Sequence, residues 1–428
     1  MIKIFNRFKQ PKKTKNNPFD ALGLSDDILR ALTEKGYQTP TAIQEKAIPE
    51  ILSGHDVLAA AQTGTGKTAG FTLPMLQKLS LSEVGDKQRD IRALILTPTR
   101  ELAAQILESI VTYGEHVDLS SMAVFGGVNI NPQKQRLRRG IDILVATPGR
   151  LLDLVQQRSL DLKTIEFLVL DEADRMLDMG FLPDVRKIVK RTPRKRQTLF
   201  FSATMPSAIE SLAQWALTNP KEVEIGKRQS VAETINHAFY PVAIGQREEL
   251  LMELLKQTHF KSVMIFTRTK KDADSLASNI KKQEPDYSIT VMHSDIRQKD
   301  REKALDGFKD GKFDVIIATD LAARGIDISN VSHVINYQVP ENAEDYVHRI
   351  GRTGRANREG DAFTLLSADE LDHAKAVEGY IDQKIEKRKL DNFNYQYTTL
   401  LDEDAPTPEK LAKIFRSKKR GGSRRRRR

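Results

Sequence analysis

AQTGTGKT (61–68) and, about a hundred residues on, DEAD (171–174) are the stretches that decide the reading of this chain. The first has the form of a phosphate cradle. Gly64 and Gly66 let backbone N–H groups turn inward along Gln62, Thr63 and Thr65, Lys67 reaches the outer phosphates, and the Thr68 hydroxyl offers a magnesium ligand. Position 61 is Ala where the strict pattern has Gly. An apolar run, DVLAA (56–60), leads into the loop and a helical run leaves it, which is the context such a loop needs. In DEAD, Asp171 ends a second apolar run, where it can hold magnesium through water. Glu172 beside it is a spare carboxylate that can orient and deprotonate a water. Adjacent carboxylates are often only a solvated loop, but the strand before them and the phosphate loop upstream favour chemistry. Asp174 reads as a structural contact, with His348, Ser202 or Thr204 as its partner.

Working outward, two stretches share a rhythm of short apolar strands with helical segments between them. The strands of the first are DVLAA (56–60), ALILT (93–97), DILVAT (142–147), FLVLD (167–171) and TLFFSAT (198–204). Those of the second are SVMIFT (262–267), ITVMH (289–293), DVIIATD (314–320), HVINY (333–337) and AFTLL (362–366). Continuous rather than alternating aliphatic runs predict strands buried on both faces of a parallel sheet. The fold class is therefore α/β, with ligands beyond the carboxyl ends of the strands. ADSLASNIKK (273–282) has the spacing of a crossover helix. The polar stretch 219–242 reads as a linker, which sets domain one at 18–226, the linker proper at 227–235 and domain two at 236–385. Residues 1–17 form a basic N-terminal tail, and 386–428 a charged extension ending in an Arg-rich tail.

The chain has 428 residues and a formal net charge of +10, but the charge is concentrated at the ends. Residues 1–15 hold six Lys/Arg and no acid, and 412–428 hold ten and no acid. Setting those 16 aside, 52 of the 68 basic residues face 58 acidic ones, so the body is slightly acidic. Five consecutive arginines (424–428) repel one another and gain by meeting phosphates, so the tails read as flexible, sequence-independent polyanion anchors. A chain without cysteine has no disulfide framework, zinc finger or thiol nucleophile, which fits a reducing cytoplasm. No apolar run spans a bilayer, and the N-terminus lacks the apolar stretch of a signal peptide.

A phosphate loop alone does not separate a GTPase, a small-molecule kinase and a helicase. GYQTPTAIQ (36–44) does: the Gln44 amide can read both a donor and an acceptor on adenine, and Phe19 can stack on the base. HRIGRTGR (348–355) then offers Arg352 and Arg355 to the same nucleotide from the second domain. Their plainer reading is a grip on nucleic-acid phosphates, and the spacing allows one arginine for each job.

Taken in order, these residues resemble the DEAD-box family of ATP-dependent RNA helicases. The resemblance covers nearly all of 18–367. It runs from Phe19 and Gln44 through AQTGTGKT, PTREL (98–102), Gly126–Gly127, TPGR (147–150), DEAD and SAT (202–204). It continues with IFTRT (265–269), the Gln298 and Arg301 spacing, ATDLAARGID (318–327) and HRIGRTGR. VFGGVNINPQ (124–133) and LDEADRMLDMGF (170–181) look most like the bacterial RhlE-type subgroup. The resemblance implies two tandem RecA-like domains, ATP and Mg²⁺ as cofactors, and Arg352 and Arg355 as arginine fingers. Gly325 and Asp327 would touch ribose or phosphates, and Asp174, Ser202, Thr204 and His348 would couple closure to RNA.

Strand-end turns offer N–H groups and hydroxyls to an RNA backbone at Thr99, Arg100, Gly127, Thr147 and Arg150. In domain two Thr267, Arg268, Gln298, Arg301, Thr319 and the Ala323–Arg324 turn do the same. Such contacts position a strand without reading its sequence. The partner that the resemblance implies is RNA bound through its backbone, with ribosomal or RNA-decay proteins as further partners and a monomeric core. Ser294 stands where the family usually has Gly. The rival readings are an ATP-gated RNA clamp that unwinds nothing and a DNA translocase.

Overall fold

The computed structural model describes residues 18–61, 64–82, 89–224, 234–323, 328, 331–354, 359–396 and 400. The basic runs 1–15 and 412–428 lie outside the described residues, as do Gln62, Thr63, Arg324, Gly325, Asp327 and Arg355. The chain divides into two compact units.

The first unit carries a parallel sheet of seven strands among the described residues: β1 (Val57–Ala60), β2 (Ala93–Leu96), β3 (Ser121–Val124), β4 (Ile143–Ala146), β5 (Phe167–Leu170), β6 (Gln197–Ser202) and β7 (Lys221–Glu224). Their order across the sheet is β3-β4-β2-β5-β6-β1-β7. The second unit likewise has β8 (Ile235–Pro241), β9 (Val263–Thr267), β10 (Ile289–Met292), β11 (Val315–Thr319), β12 (His333–Asn336), β13 (Gly360–Leu366) and β14 (Glu386–Lys387). Its order is β10-β11-β9-β12-β13-β8-β14, the same permutation with every number raised by seven. Every pairing is parallel. Each sheet is flanked by helices, so these are tandem RecA-like domains. The aliphatic runs do what their composition requires: β2, β4, β5 and β6 are buried at every position, and so are β9, β11 and β12. A fully buried Phe, Leu or Ile contributes roughly 1.5–3 kcal/mol. Phe71, Ile95 and Phe201 share one such core on the first sheet, and Leu94, Leu144 and Phe200 share another.

All ten expected strands form. Four others were not legible. Of these, β3, β7 and β14 are edge strands; β7 and β14 are mostly exposed and charged, β3 alternates half-buried and buried positions, and β8 sits next to β14. β7 and β8 both fall within 219–242, so much of the stretch that reads as a linker belongs to the two sheets. The second unit also continues past 385. β14 pairs with β8, the Phe393 and Tyr395 rings meet edge to face at 4.7 Å, and the Gln396 N–H donates to Gln246 Oε1 at 2.6 Å. The crossover helix expected over 273–282 spans Lys270–Gln283. Among the described residues, no helix is long and apolar enough to cross a membrane.

Candidate nucleotide and nucleic-acid site

Sheet order distributes the chemistry of the first unit along one edge. The carboxyl ends of β1, β5 and β6 carry the phosphate loop, Asp171–Glu172 and Ser202–Thr204. The neighbouring ends of β2, β4 and β3 carry PTREL, TPGR and Gly126–Gly127. One half of the edge thus holds nucleotide residues and the other half the turns assigned to nucleic acid.

In the phosphate loop, Gly64 and Gly66 have φ of +82° and +92°, the left-handed region that suits glycine. A Cβ at Gly66 would sit 2.6 Å from Gln44 Nε2 and 2.8 Å from Thr41 Oγ1, so that position also lacks room. Gly66 caps the helix Lys67–Leu81, whose N–H groups suit an anion. Lys67 is 6% exposed, and its ammonium has no hydrogen-bond partner among the described residues. A buried ammonium that donates no hydrogen bond is costly, and a phosphate satisfies it. Gln44 is 4% exposed, and its amide is partly occupied. Oε1 accepts from the Thr41 N–H at 2.9 Å and Nε2 donates to the Gly66 carbonyl at 3.2 Å. An amide has two N–H groups and two lone pairs, so one of each remains for a base.

Phe19 corrects an expectation. Its ring is 1% exposed within the core cluster, which leaves no open face for stacking on a base in this conformation.

Asp171 is 2% exposed, and its carboxyl is pushed up to about 7. Burial is the main cause; the charges of Glu172 and Asp174 add to it and Lys67 opposes it. Such a carboxylate fits a divalent cation, which would supply the missing positive charge. Glu172 has left-handed backbone (φ 52°, ψ 52°) and its Oε2 accepts from Arg175 Nη1 at 2.8 Å. Asp174 is held by the Ser202–Thr204 turn. Its Oδ2 accepts from the Ala203 N–H at 3.0 Å, the Thr204 N–H at 2.8 Å and the Thr204 hydroxyl at 3.2 Å. Its own N–H donates to Ser202 Oγ at 3.2 Å.

On the other half of the edge, Thr99 caps the helix Arg100–Tyr113 through its hydroxyl, which accepts from the Leu102 N–H at 3.3 Å. Gly127 (φ +74°) lies against the Arg100 guanidinium, so closely that a Cβ there would collide with it. Arg150 Nη2 donates to the Val128 carbonyl at 2.9 Å, while its Nε and Nη1 are buried without a partner among the described residues. Thr147 precedes the helix Pro148–Gln156 without a side-chain capping bond and is 8% exposed. The three turns of strands β2, β3 and β4 are therefore drawn together by two arginines.

The second unit answers the sequence less evenly. Gln298 is half-buried and opens the helix Gln298–Lys309, and Arg301 Nη2 donates to the Ala322 carbonyl at 3.3 Å. Thr319 ends β11 at 9% exposure. Thr267 is fully buried and its hydroxyl donates to the Thr269 carbonyl at 3.2 Å, so it does not face a ligand here. The Arg268 guanidinium pairs with Glu370 at 3.0 Å and Glu341 at 3.5 Å, and its side chain stays 31% exposed. Arg352 is 5% exposed, and His348 is half-buried on the helix Ala343–Ile350. Ser294 does not have left-handed backbone, so no glycine is required, and its hydroxyl donates to Asp295 at 3.2 Å.

Sequence reasoning missed three residues. Arg175 grips Glu172. Arg349 holds Asp320 through two bonds of 2.6 Å and also donates to Asn336 Oδ1 and the Gln338 carbonyl, which ties the ends of β11 and β12. Glu370, 1% exposed, lies between Arg247 at 2.6 Å and Arg268 at 3.0 Å. Arg349 and Arg175 both lie inside quoted motifs, so their position was a signal; Glu370 carried none.

Comparison with known proteins agrees with this geometry. The DEAD/DEAH box helicase family matches residues 41–212, and the helicase conserved C-terminal domain matches 246–357. The chain is 40% identical to the DEAD-box ATP-dependent RNA helicase RhpA of Helicobacter pylori, over 93% of this chain and 79% of that protein. It is 42% identical to the RNA helicase CrhR of Synechocystis, over 89% of this chain and 76% of that protein. Among solved structures it resembles S. cerevisiae Dbp5 bound to RNA and ADP BeF3, with a TM-score of 0.77 and 29% identity. That likeness covers 94% of this chain and 99% of the chain in that structure.

Proposed function

This chain belongs to the DEAD-box family of ATP-dependent RNA helicases, and from that premise we propose how its residues divide the work. It is an RNA helicase that hydrolyses ATP. The observation that carries the assignment of roles is the buried Lys67 ammonium at the start of a helix, which makes no hydrogen bond among the described residues and whose charge acts on the buried Asp171. Lys67 and the loop N–H groups bind the phosphates, and Gln44 reads adenine with its remaining N–H and lone pair. Thr68 and Asp171 would hold Mg²⁺, which when bound neutralises phosphate charge. Glu172 orients the attacking water and takes its proton. Arg352 and Arg355 supply positive charge to the transferring phosphoryl group, and Gly325 and Asp327 contact ribose or phosphate. Asp174 passes the state of this site to the Ser202–Thr204 turn, with His348 as a further coupling residue.

RNA lies along the turns of Arg100, Gly127, Thr147 and Arg150, and in the second domain along Gln298, Arg301 and Thr319. Duplexes are opened locally, one short stretch per closure. The finer reading is an RhlE-type protein with a monomeric core in the cytoplasm, acting in ribosome assembly or RNA turnover. The strings VFGGVNINPQ and LDEADRMLDMGF support the subgroup, although the relatives named above carry other names. The basic tails anchor the core to large RNAs.

Glu172→Gln tests the scheme. With ATP it should hold RNA in a long-lived complex. Release as fast as from the wild type would contradict the assignment.

A further inference from the structure

We propose that Arg175 is the positioning residue for the water-activating carboxylate Glu172. This rests on the assignment of Glu172 as that base, and the experiment below separates the two. The Arg175 and Glu172 side chains are 4% and 8% exposed and meet at 2.8 Å. Among the described residues this is the one ion pair that Glu172 makes.

Three features indicate a pair built for the site. First, Glu172 has left-handed backbone, a strained region for a residue with a side chain, and such strain collects at functional positions. The Glu172 N–H also donates to Asp171 Oδ1 at 3.0 Å, which fixes the start of the side chain. Arg175 then fixes its far end. Carboxylate and backbone are held at both ends, so the oxygen left over on Glu172 has a set direction.

Second, Arg175 lies on the short helix Ala173–Asp178, within one turn of Glu172. A buried pair is a poor source of stability compared with apolar residues of similar volume. Stability alone therefore does not explain an arginine at this position.

Third, Arg175 Nη2 is buried with no partner among the described residues. A guanidinium donates in a fixed fork. With Nη1 on the carboxylate, Nη2 has no competing acceptor among the described residues that would draw the guanidinium away from Glu172.

The test is steady-state ATP hydrolysis by the full chain at saturating RNA, for Arg175→Met, Arg175→Lys, Glu172→Gln and the Arg175→Met/Glu172→Gln double variant. Binding of a fluorescent ATP analogue and a thermal melt accompany each. Arg175→Met should lower kcat roughly ten- to a hundredfold, the usual effect of a small misplacement of a catalytic group, with KM for ATP nearly unchanged. Arg175→Lys should recover part of the loss. In the Glu172→Gln background, Arg175→Met should cost nothing more. A raised kcat would overturn the proposal, because Arg175 would then be restraining Glu172. An unchanged kcat, or a full additional loss in the double variant, would also overturn it. If Arg175→Met does not fold, Arg175→Lys decides by the same split: a lower kcat at constant KM supports the role and an unchanged kcat removes it. Wild-type hydrolysis by Glu172→Gln would instead refute the base assignment, and the proposal with it.

Discussion

The two units thread their strands in the same order, yet they put different groups at the ends of those strands. After the first strand, the first unit has the glycine loop and Lys67. After the corresponding β8, the second has Val242 and Ala243, then the short turn Ile244–Gln246 and Arg247. After the fifth strand, the first unit has Asp171 and Glu172, whereas the second has Tyr337 and Gln338 after β12. After the sixth strand both have Ser-Ala: Ser202-Ala203-Thr204 and Ser367-Ala368-Asp369. Asp174, from the carboxylate motif, holds the first of these turns. The second is closed by its own capping box with Glu370, itself paired with Arg247. One sheet edge is therefore tied to a nucleotide site, and its counterpart is locked by internal ion pairs. The lesson is that this topology supplies positions, and the residues at strand ends decide whether a position responds to ligand or only holds shape.

The comparison breaks most visibly at Arg352. If the second unit lends charge to the nucleotide, Arg352→Ala should slow RNA-stimulated hydrolysis by roughly 10³-fold or more, the range of arginine fingers. A fall in RNA affinity alone, with hydrolysis per bound complex intact, would return Arg352 to a phosphate grip. Next is the locked turn. Glu370→Gln leaves Arg247 buried without its counter-charge and should cost about 3–5 kcal/mol of stability, read as a lower denaturant midpoint. Asp174→Asn should change stability less and instead separate ATP hydrolysis from strand separation in a duplex assay. In the nucleotide half, Lys67→Ala should reduce hydrolysis by roughly 10²–10³-fold, as removal of one preorganised donor does, and weaken binding of an ATP analogue. Arg352→Ala and Lys67→Ala should both leave the melting temperature near that of the wild type. The smallest effect is expected from deleting 412–428. RNA affinity should fall modestly and its dependence on salt should flatten. An unchanged slope would mean that these arginines do not meet phosphate.

The reach of the sequence follows the same division. Strands buried on both faces announce themselves, because only aliphatic residues are stable there, as in FLVL and VIIAT. An edge strand obeys no such constraint, and KEVE was illegible. The phosphate loop and the carboxylate pair were legible because their spacing is set by the chemistry of phosphate and metal. What the sequence did not show is which polar groups already have partners. Gln44 caps its own helix, Arg268 is bound to Glu370, and Thr267 is fully buried. Two of these side chains are tied to residues far along the chain, Gln44 to Gly66 at 22 positions and Arg268 to Glu370 at 102. Arg175 was hidden differently. It stood inside a quoted motif, but its pairing with Glu172 needs the helix turn that stacks position i on i+3.

The most direct measurement is phosphate release from ATP by the full chain without nucleic acid, with RNA, and with DNA of equal length. The account predicts a low basal rate and strong stimulation by RNA but not by DNA. Equal stimulation by DNA, or none by RNA, would contradict it.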